Sequence, residues 1–185
     1  MCLSACFFEQ DTPVVAKELI GYTLFYKSKQ GLLGGIVCET EAYTQEDAAC
    51  HAYLGKKTKR NATMFEEAGT IYIYLIYGMY YCLNIATEAK GRGCAVLIRG
   101  VIPTIGVDVM CKNRPKSDAF NTIANGPGKL MQAMAIPPHI NGKTLKDLDS
   151  PLYFSSKKDR LLCIQEKKRV GISKAKDNLW RFCGL

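Results

Sequence analysis

The chain has 185 residues, 48% of them apolar and 23% charged, a length and balance that suit one globular domain and exclude a disordered tail. Its 25 Lys and Arg against 17 Asp and Glu give a net charge of +8, which favours a polyanionic partner, nucleic acid first and an anionic membrane surface second. Nine cysteines without CxxC spacing and only two histidines argue against a disulfide framework or a zinc finger, and for a reducing, cytoplasmic setting.

In chain order, the first eight residues lack the positive start and long apolar core of a secretory signal. Asp11-Thr12-Pro13 predicts a helix start, with Asp11 as the capping side chain, and Gly21 predicts its end. Residues 22–26 and 32–41 read as strands joined by the polar turn 27–31, and the second strand runs into Glu39-Thr40-Glu41-Ala42-Tyr43. Residues 46–53 suit a short helix, followed by the basic loop 56–61. The uncharged run 69–87 carries five tyrosines and a central Gly78, which fits two strands meeting at Tyr77-Gly78-Met79 better than a membrane span. Residues 94–99 are apolar until their terminal arginine, the pattern of a central strand. Helices are predicted over 104–113 and 128–136, the second stopped by Pro137-Pro138, and short strands around 152–154 and 161–163. No repeat, linker or composition break divides the chain, so one domain, 1–185, is expected.

Alternation along a strand puts Glu39, Glu41 and Tyr43 on one face and Thr40 and Ala42 on the other. The apolar approach through residues 32–38 implies a strand leaving the core, with a carboxylate at a partly dry rim. Desolvation there raises its pKa toward the range useful for taking a proton from water. The competing reading is a pair of solvated charges on an edge strand. Cross-strand aromatic pairing accounts for Tyr72 and Tyr81. Tyr77 falls at the turn, where burial is hardest to arrange, and a ring at a hairpin tip is what a wedge into stacked bases needs. Residues 125–129, Asn-Gly-Pro-Gly-Lys, read equally as a phosphate-gripping turn and as a plain helix start. The basic groups 56–60, 157–160 and 167–169 are singly ordinary solvated faces. Together, beside an aromatic hairpin, they favour a surface that tracks phosphates.

Seven segments, in order from about residue 8 to residue 182, carry a resemblance: CETEAY from Cys38, DAACH from Asp47, KRNATMF from Lys59, GTIYIYLIYGMYYCLN from Gly69, AVLIR from Ala95, NGPGKL from Asn125 and RVGI from Arg169. With them the chain resembles the alkyladenine (3-methyladenine) DNA glycosylase family of mammalian and eubacterial type. The resemblance implies a mixed α/β (α+β) domain, a curved and largely antiparallel sheet with flanking helices and a protruding β-hairpin. It implies a monofunctional enzyme that flips alkylated or deaminated purines out of duplex DNA and hydrolyses their glycosidic bond. Glu41 would activate the water, Arg99 would hold it and the nearby phosphate, and the backbone carbonyl around Ile172 would be a third partner. Tyr43, His51 and Tyr74 would line the pocket, and Asn84 would crowd the 2-amino group of undamaged guanine. Tyr77 would be the wedge, with Met79 beside it, and Lys59, Arg60 and Lys129 would meet the DNA backbone.

That chemistry needs no metal or other cofactor, and the expected partner is double-stranded DNA with damaged purines, bound by a monomer with no membrane involved. Two departures from the family pattern bear on substrate preference: the chain ends at Leu185, earlier than relatives with a further short strand, and Tyr80 stands where many bacterial relatives have histidine. Two rival readings are a catalytically silent nucleic-acid-binding module and a nucleosidase-type hydrolase of small molecules.

Overall fold

The computed structural model describes residues 3–117, 119–147, 149–160 and 163–185. A four-residue helix α1 (Ala5–Phe8), too short to leave a periodic signal, precedes α2 (Thr12–Glu18). Pro13 opens α2 as expected, but the Asp11 side chain makes no capping bond. Glu88 substitutes for it from far along the chain: the Thr12 N–H and hydroxyl donate to Glu88 Oε1 at 3.3 and 2.5 Å. An anionic oxygen at the helix start meets the amides that the first turn leaves open.

Two strands follow as a hairpin, β1 (Thr23–Ser28) and β2 (Gly31–Tyr43), then the aromatic hairpin β3 (Ile71–Ile76) and β4 (Tyr80–Ala86), and the long β5 (Ala95–Ile105). The helix expected over 46–53 is instead a run of turns ending in one 3-10 turn at Tyr53–Gly55. Strand β5 also passes beyond its expected end at Arg99, because residues 100–103 go on pairing with β2, and Pro103 sits opposite Gly35 beside a register shift, a place in a sheet that tolerates proline. The helix expected from 104 therefore starts late, as α3 (Val107–Asn113), after Gly106 at φ +67°. Helix α4 (Pro127–Ala133) ends three residues short of the proline pair. Three short strands complete the set, β6 (Leu152–Phe154), β7 (Ile164–Lys167) and β8 (Arg181–Gly184). Residues 161 and 162 of the strand expected at 161–163 lie outside the described residues, and Cys163 precedes β7. Nothing in the sequence pattern announced β8.

The strands form one curled antiparallel sheet in the order β3-β4-β5-β2-β1-β6. Strand β2 organises it. One of its edges pairs with β5; the other is covered by β1 over Gly31–Ile36 and then by β8 over Glu39–Glu41. Helix α2 packs on one face of β2, where the Thr40 hydroxyl donates to Ala16 O at 2.7 Å. The core holds Leu19, Leu33, Val37, Ile85 and Ile98, each at most 1% exposed.

A double irregularity sits in the middle of β2. Cys38 has no partner between the pairs Val37↔Val101 and Glu39↔Gly100, and Arg99 has none between Gly100 and Ile98. An extra residue in a strand reverses the alternation of faces beyond it. Val37 and Thr40, three positions apart, are therefore both fully buried, with Thr40 bonded to α2. Glu39, Glu41 and Tyr43 consequently turn to the opposite face. An unbroken strand would have driven both carboxylates into the apolar core beside Val37.

Candidate active site

On that opposite face, paired residues run straight across four strands: Tyr72 on β3 pairs with Asn84 on β4, Asn84 with Leu97 on β5, and Leu97 with Glu41 on β2. All four line a cleft of about 770 Å³. The segment Val170–Lys174 walls it on one side and the start of α4, Gly126–Lys129, on the other. Glycine at 128 matters here, since a Cβ would sit 3.1 Å from the Tyr80 side chain. Of the candidate residues, Glu41, Tyr43, His51, Tyr74, Tyr77, Asn84, Arg99, Lys129 and Ile172 all meet in this cleft. Lys59, Arg60 and Met79 lie outside its lining.

Glu41 is fully buried at the cleft floor, so the solvated-edge reading does not hold for it. Three donors converge on its carboxylate: Tyr43 OH to Oε2 at 2.8 Å, Arg99 Nη1 to Oε2 at 3.4 Å, and the Val170 N–H to Oε1 at 2.9 Å. An ionised carboxylate is an acceptor only, and charge-assisted bonds of this kind are the strong ones. Arg99 also donates through Nε to Glu39 Oε1 at 2.9 Å. Burial works against the Arg99 charge, but Glu41 and Glu39 outweigh it and hold its pKa above the usual guanidinium value. Burial, then the Glu41 charge and its hydrogen bond, push the Tyr43 phenol well above its ordinary range, so it stays a neutral donor.

The aromatic wall is a connected set. Tyr72 and Tyr74 lie with ring centroids 5.5 Å apart, the His51 ring meets Tyr74 edge-on at 4.6 Å, and His51 Nδ1 lies 3.1 Å from the Tyr72 hydroxyl. Tyr72 is 1% exposed, the core position expected of it, yet its ring also faces the cleft. Desolvation of the ring, then the Arg60 charge, lower the His51 pKa and keep the imidazole neutral at neutral pH. Asn84, 3% exposed, spends its amide N–H groups on the carbonyls of Tyr72 at 3.2 Å and Cys82 at 3.3 Å. Its carbonyl oxygen is thereby fixed in orientation.

Tyr77 stands at the tip of the aromatic hairpin, 76% exposed, and Met79 beside it is 65% exposed. Tyr77 and Gly78 have φ of +53° and +68°, and the Met79 N–H closes the turn on Ile76 O at 3.2 Å. Two successive positive φ angles at the centre of the 76–79 turn, within the three-residue loop 77–79, follow the type I′ pattern, which asparagine and glycine adopt easily and tyrosine does not. Lys59 is exposed; Arg60 donates to Leu75 O at 3.0 Å with its guanidinium 5.5 Å above the Tyr74 ring. Lys129, at the cleft rim, bonds Asn125 Oδ1 at 2.9 Å.

The basic groups near 157–160 and 167–169 are differently placed: the second adjoins the hairpin tip, a Cβ at Gly171 falling 3.9 Å from the Tyr77 hydroxyl, and the first lies by α2. Lys158 pairs with Glu18 on α2, across the sheet from the cleft, and Lys168 pairs with Asp177. Arg169 is 6% exposed, and its guanidinium makes a two-point ion pair with buried Asp47, donates to Ala42 O at 2.8 Å and lies 4.6 Å from the Tyr43 ring centroid. That pair anchors the strip carrying Val170 and Ile172. Sequence reasoning missed the roles of Asp47, Arg169 and Val170 in building the wall. The RVGI segment was the available signal, but a Lys-Lys-Arg run reads by itself as solvated.

A family model for methylpurine-DNA glycosylase matches residues 6–184. The chain belongs to the methylpurine-DNA glycosylase family. Among its relatives, a protein of Prosthecochloris aestuarii is 47% identical over 178 residues, covering 95% of this chain and 84% of the relative. One from Methanoculleus marisnigri is 42% identical over 186 residues, 98% of this chain and 94% of its own, and one from Francisella tularensis 43% over 169 residues, 90% and 86%. All three bear the name "Putative 3-methyladenine DNA glycosylase". The family match spans the sheet and every residue of the cleft. Among the described residues no helix is long and apolar enough to cross a membrane.

Proposed function

We propose that the protein is a monofunctional DNA glycosylase that flips alkylated or deaminated purines out of duplex DNA and hydrolyses their N-glycosidic bond with a water activated by Glu41. The observation that carries this reading is the fully buried Glu41 carboxylate, held by three donors at the floor of a cleft with aromatic walls. Glycosidic cleavage passes through an oxocarbenium-like state; a carboxylate beside it stabilises the positive sugar and takes the proton of the attacking water. Arg99 helps hold that water and the nearby phosphate, with the Ile172 carbonyl as a third partner.

Tyr43, Tyr74 and His51 receive the extruded base and replace part of its lost stacking. Electron-rich ring faces favour a cationic base, and an N3- or N7-alkylated purine is cationic where its undamaged counterpart is not. For such alkylated purines the same positive charge makes the base a good leaving group, so one general base suffices. Asn84, its side chain held by the Tyr72 and Cys82 carbonyls, crowds the 2-amino group of guanine at the pocket floor, and Tyr77 with Met79 fills the gap left in the duplex. Lys59, Arg60 and Lys129 meet the backbone, and one copy of the chain, acting as one domain, carries the whole reaction.

The test is to incubate the protein with duplexes carrying 3-methyladenine, 7-methylguanine, hypoxanthine or ethenoadenine and score base release. Abasic sites that break only after added alkali are the expected product, since no amine forms a Schiff base with the sugar. Borohydride trapping of a protein–DNA adduct contradicts the water mechanism. Hydrolysis of free nucleosides with no dependence on duplex contradicts the DNA reading, and DNA binding without base release contradicts catalysis.

A further inference from the structure

Beside the cleft, on the same face of β2 as Glu41, lies a second carboxylate that the proposed reaction leaves unused. Glu39 Oε1 accepts from Arg99 Nε at 2.9 Å and from Arg181 Nη1 at 3.1 Å. The Arg99 bond to Glu39 is shorter than its 3.4 Å contact with Glu41. Arg181 is the β8 partner of Glu41, and its Nε is fixed on Lys168 O at 2.8 Å. The side chains of Glu39, Arg99 and Arg181 are 20%, 13% and 24% exposed, so solvent screens their charges only in part. Neither Glu39 nor Arg181 lines the cleft.

We propose that Glu39, together with Arg181, is a positioning residue that sets how strongly Arg99 acts on the Glu41 carboxylate. The proposal rests on Glu41 being the general base. Two carboxylates and two guanidiniums form a chain, Arg181–Glu39–Arg99–Glu41, whose charges balance. The other groups around Glu41 leave that balance intact. Tyr43 on β2, Tyr74 on β3 and Cys82 on β4 are all pushed by burial toward their neutral forms. Arg169 is matched by Asp47 and Lys174 stands at the cleft wall. Without Glu39, Arg99 would have Glu41 as its one remaining carboxylate, and the 3.4 Å ion pair between them would tighten and weaken Glu41 as a proton acceptor. Balanced by Glu39, Arg99 orients Glu41 without neutralising its basicity.

The sign of the effect is the test. A base must be ionised, so the rate of base release falls at low pH with a limb that reports Glu41. An N7-alkylated guanine carries its positive charge below neutral pH without taking up a proton, so protonation of the base does not contribute to that acid limb. Glu39→Gln keeps an acceptor for Arg99 but removes a negative charge, which favours ionised Glu41 and moves the limb to lower pH by about one unit. Arg181→Gln removes a positive charge and moves it the other way, by less. The double variant returns it near the parent position.

Single-turnover rates for 7-methylguanine release from duplex, measured between pH 4 and pH 8 on all three variants and on Glu41→Gln, decide the matter. Opposed shifts in the single variants, cancelling in the double, are the expected result. Limbs that stay in place while rates drop at every pH, or that move in one direction together, overturn the proposal. Should Glu39→Gln fail to fold, as thermal melting would report, Arg181→Gln decides alone: an upward shift supports the proposal, and no shift or a downward one overturns it. A limb that persists in Glu41→Gln overturns the base assignment, and the proposal with it. A limb that vanishes there yet does not move in the other variants overturns the proposal alone.

Discussion

Tyr77 pairs an exposed ring with a left-handed backbone, a combination that costs a residue of its size on the order of 1–2 kcal/mol. Folding alone would favour asparagine at that turn position. Tyr77→Asn is therefore expected to leave the melting temperature unchanged or raised while base release from well-paired duplex falls. The loss should shrink on mismatched or single-stranded substrate, where less unstacking is needed. A variant that melts early and loses all substrates alike places the ring in the structural fabric instead. Arg169 is the opposite case, a cation with no exposed side-chain surface whose charge is met by Asp47. Asp47→Asn leaves that guanidinium uncompensated and is expected to lower stability by about 3–5 kcal/mol, read as a shift of the urea midpoint. A loss under about 1 kcal/mol, the range of exposed pairs, contradicts this account of the wall.

Among the elements, β2 decides the most, because its bulge changes which face the carboxylates occupy. Cys38→Ala keeps the residue count and is expected to keep fold and base release. Deleting Cys38 turns Glu39 and Glu41 toward Val37 and the core, and circular dichroism should find the protein unfolded or base release abolished. A folded, active deletion variant overturns the parity argument. The face shared by Glu39, Glu41 and Tyr43 was legible from alternation, as were both hairpins, from their β-branched and aromatic content and their turn residues. The bulge that makes this face point away from the core was not, since it depends on the register against β5. Strand β8 was illegible for a related reason: four residues carry no usable period, and Arg181–Gly184 is a strand because β2 on one side and β7 on the other pair with it. Arg169 misled because the Asp47 that buries it lies 122 positions away. The Thr12 cap escaped notice likewise, with Glu88 76 positions off.

For the whole molecule, the net charge of +8 predicts DNA affinity that falls steeply with salt, the log-log slope counting the phosphates neutralised. Reversing Lys59, which is exposed, should flatten that slope by about one phosphate contact without harming the cleft. Reversing Arg60 should flatten it and also slow base release, because Arg60 lies over Tyr74. Salt-independent affinity contradicts the DNA reading. The curled sheet, the bulge, the two ion-pair systems and the aromatic wall converge on one carboxylate, so the account stands or falls with Glu41. The direct measurement is single-turnover base release by Glu41→Gln from duplex carrying one alkylated purine, beside its affinity for the same duplex. Retained folding and lesion binding with base release slower by at least about a hundredfold is the predicted result, the lower end for loss of a general base. Turnover near that of the parent contradicts it.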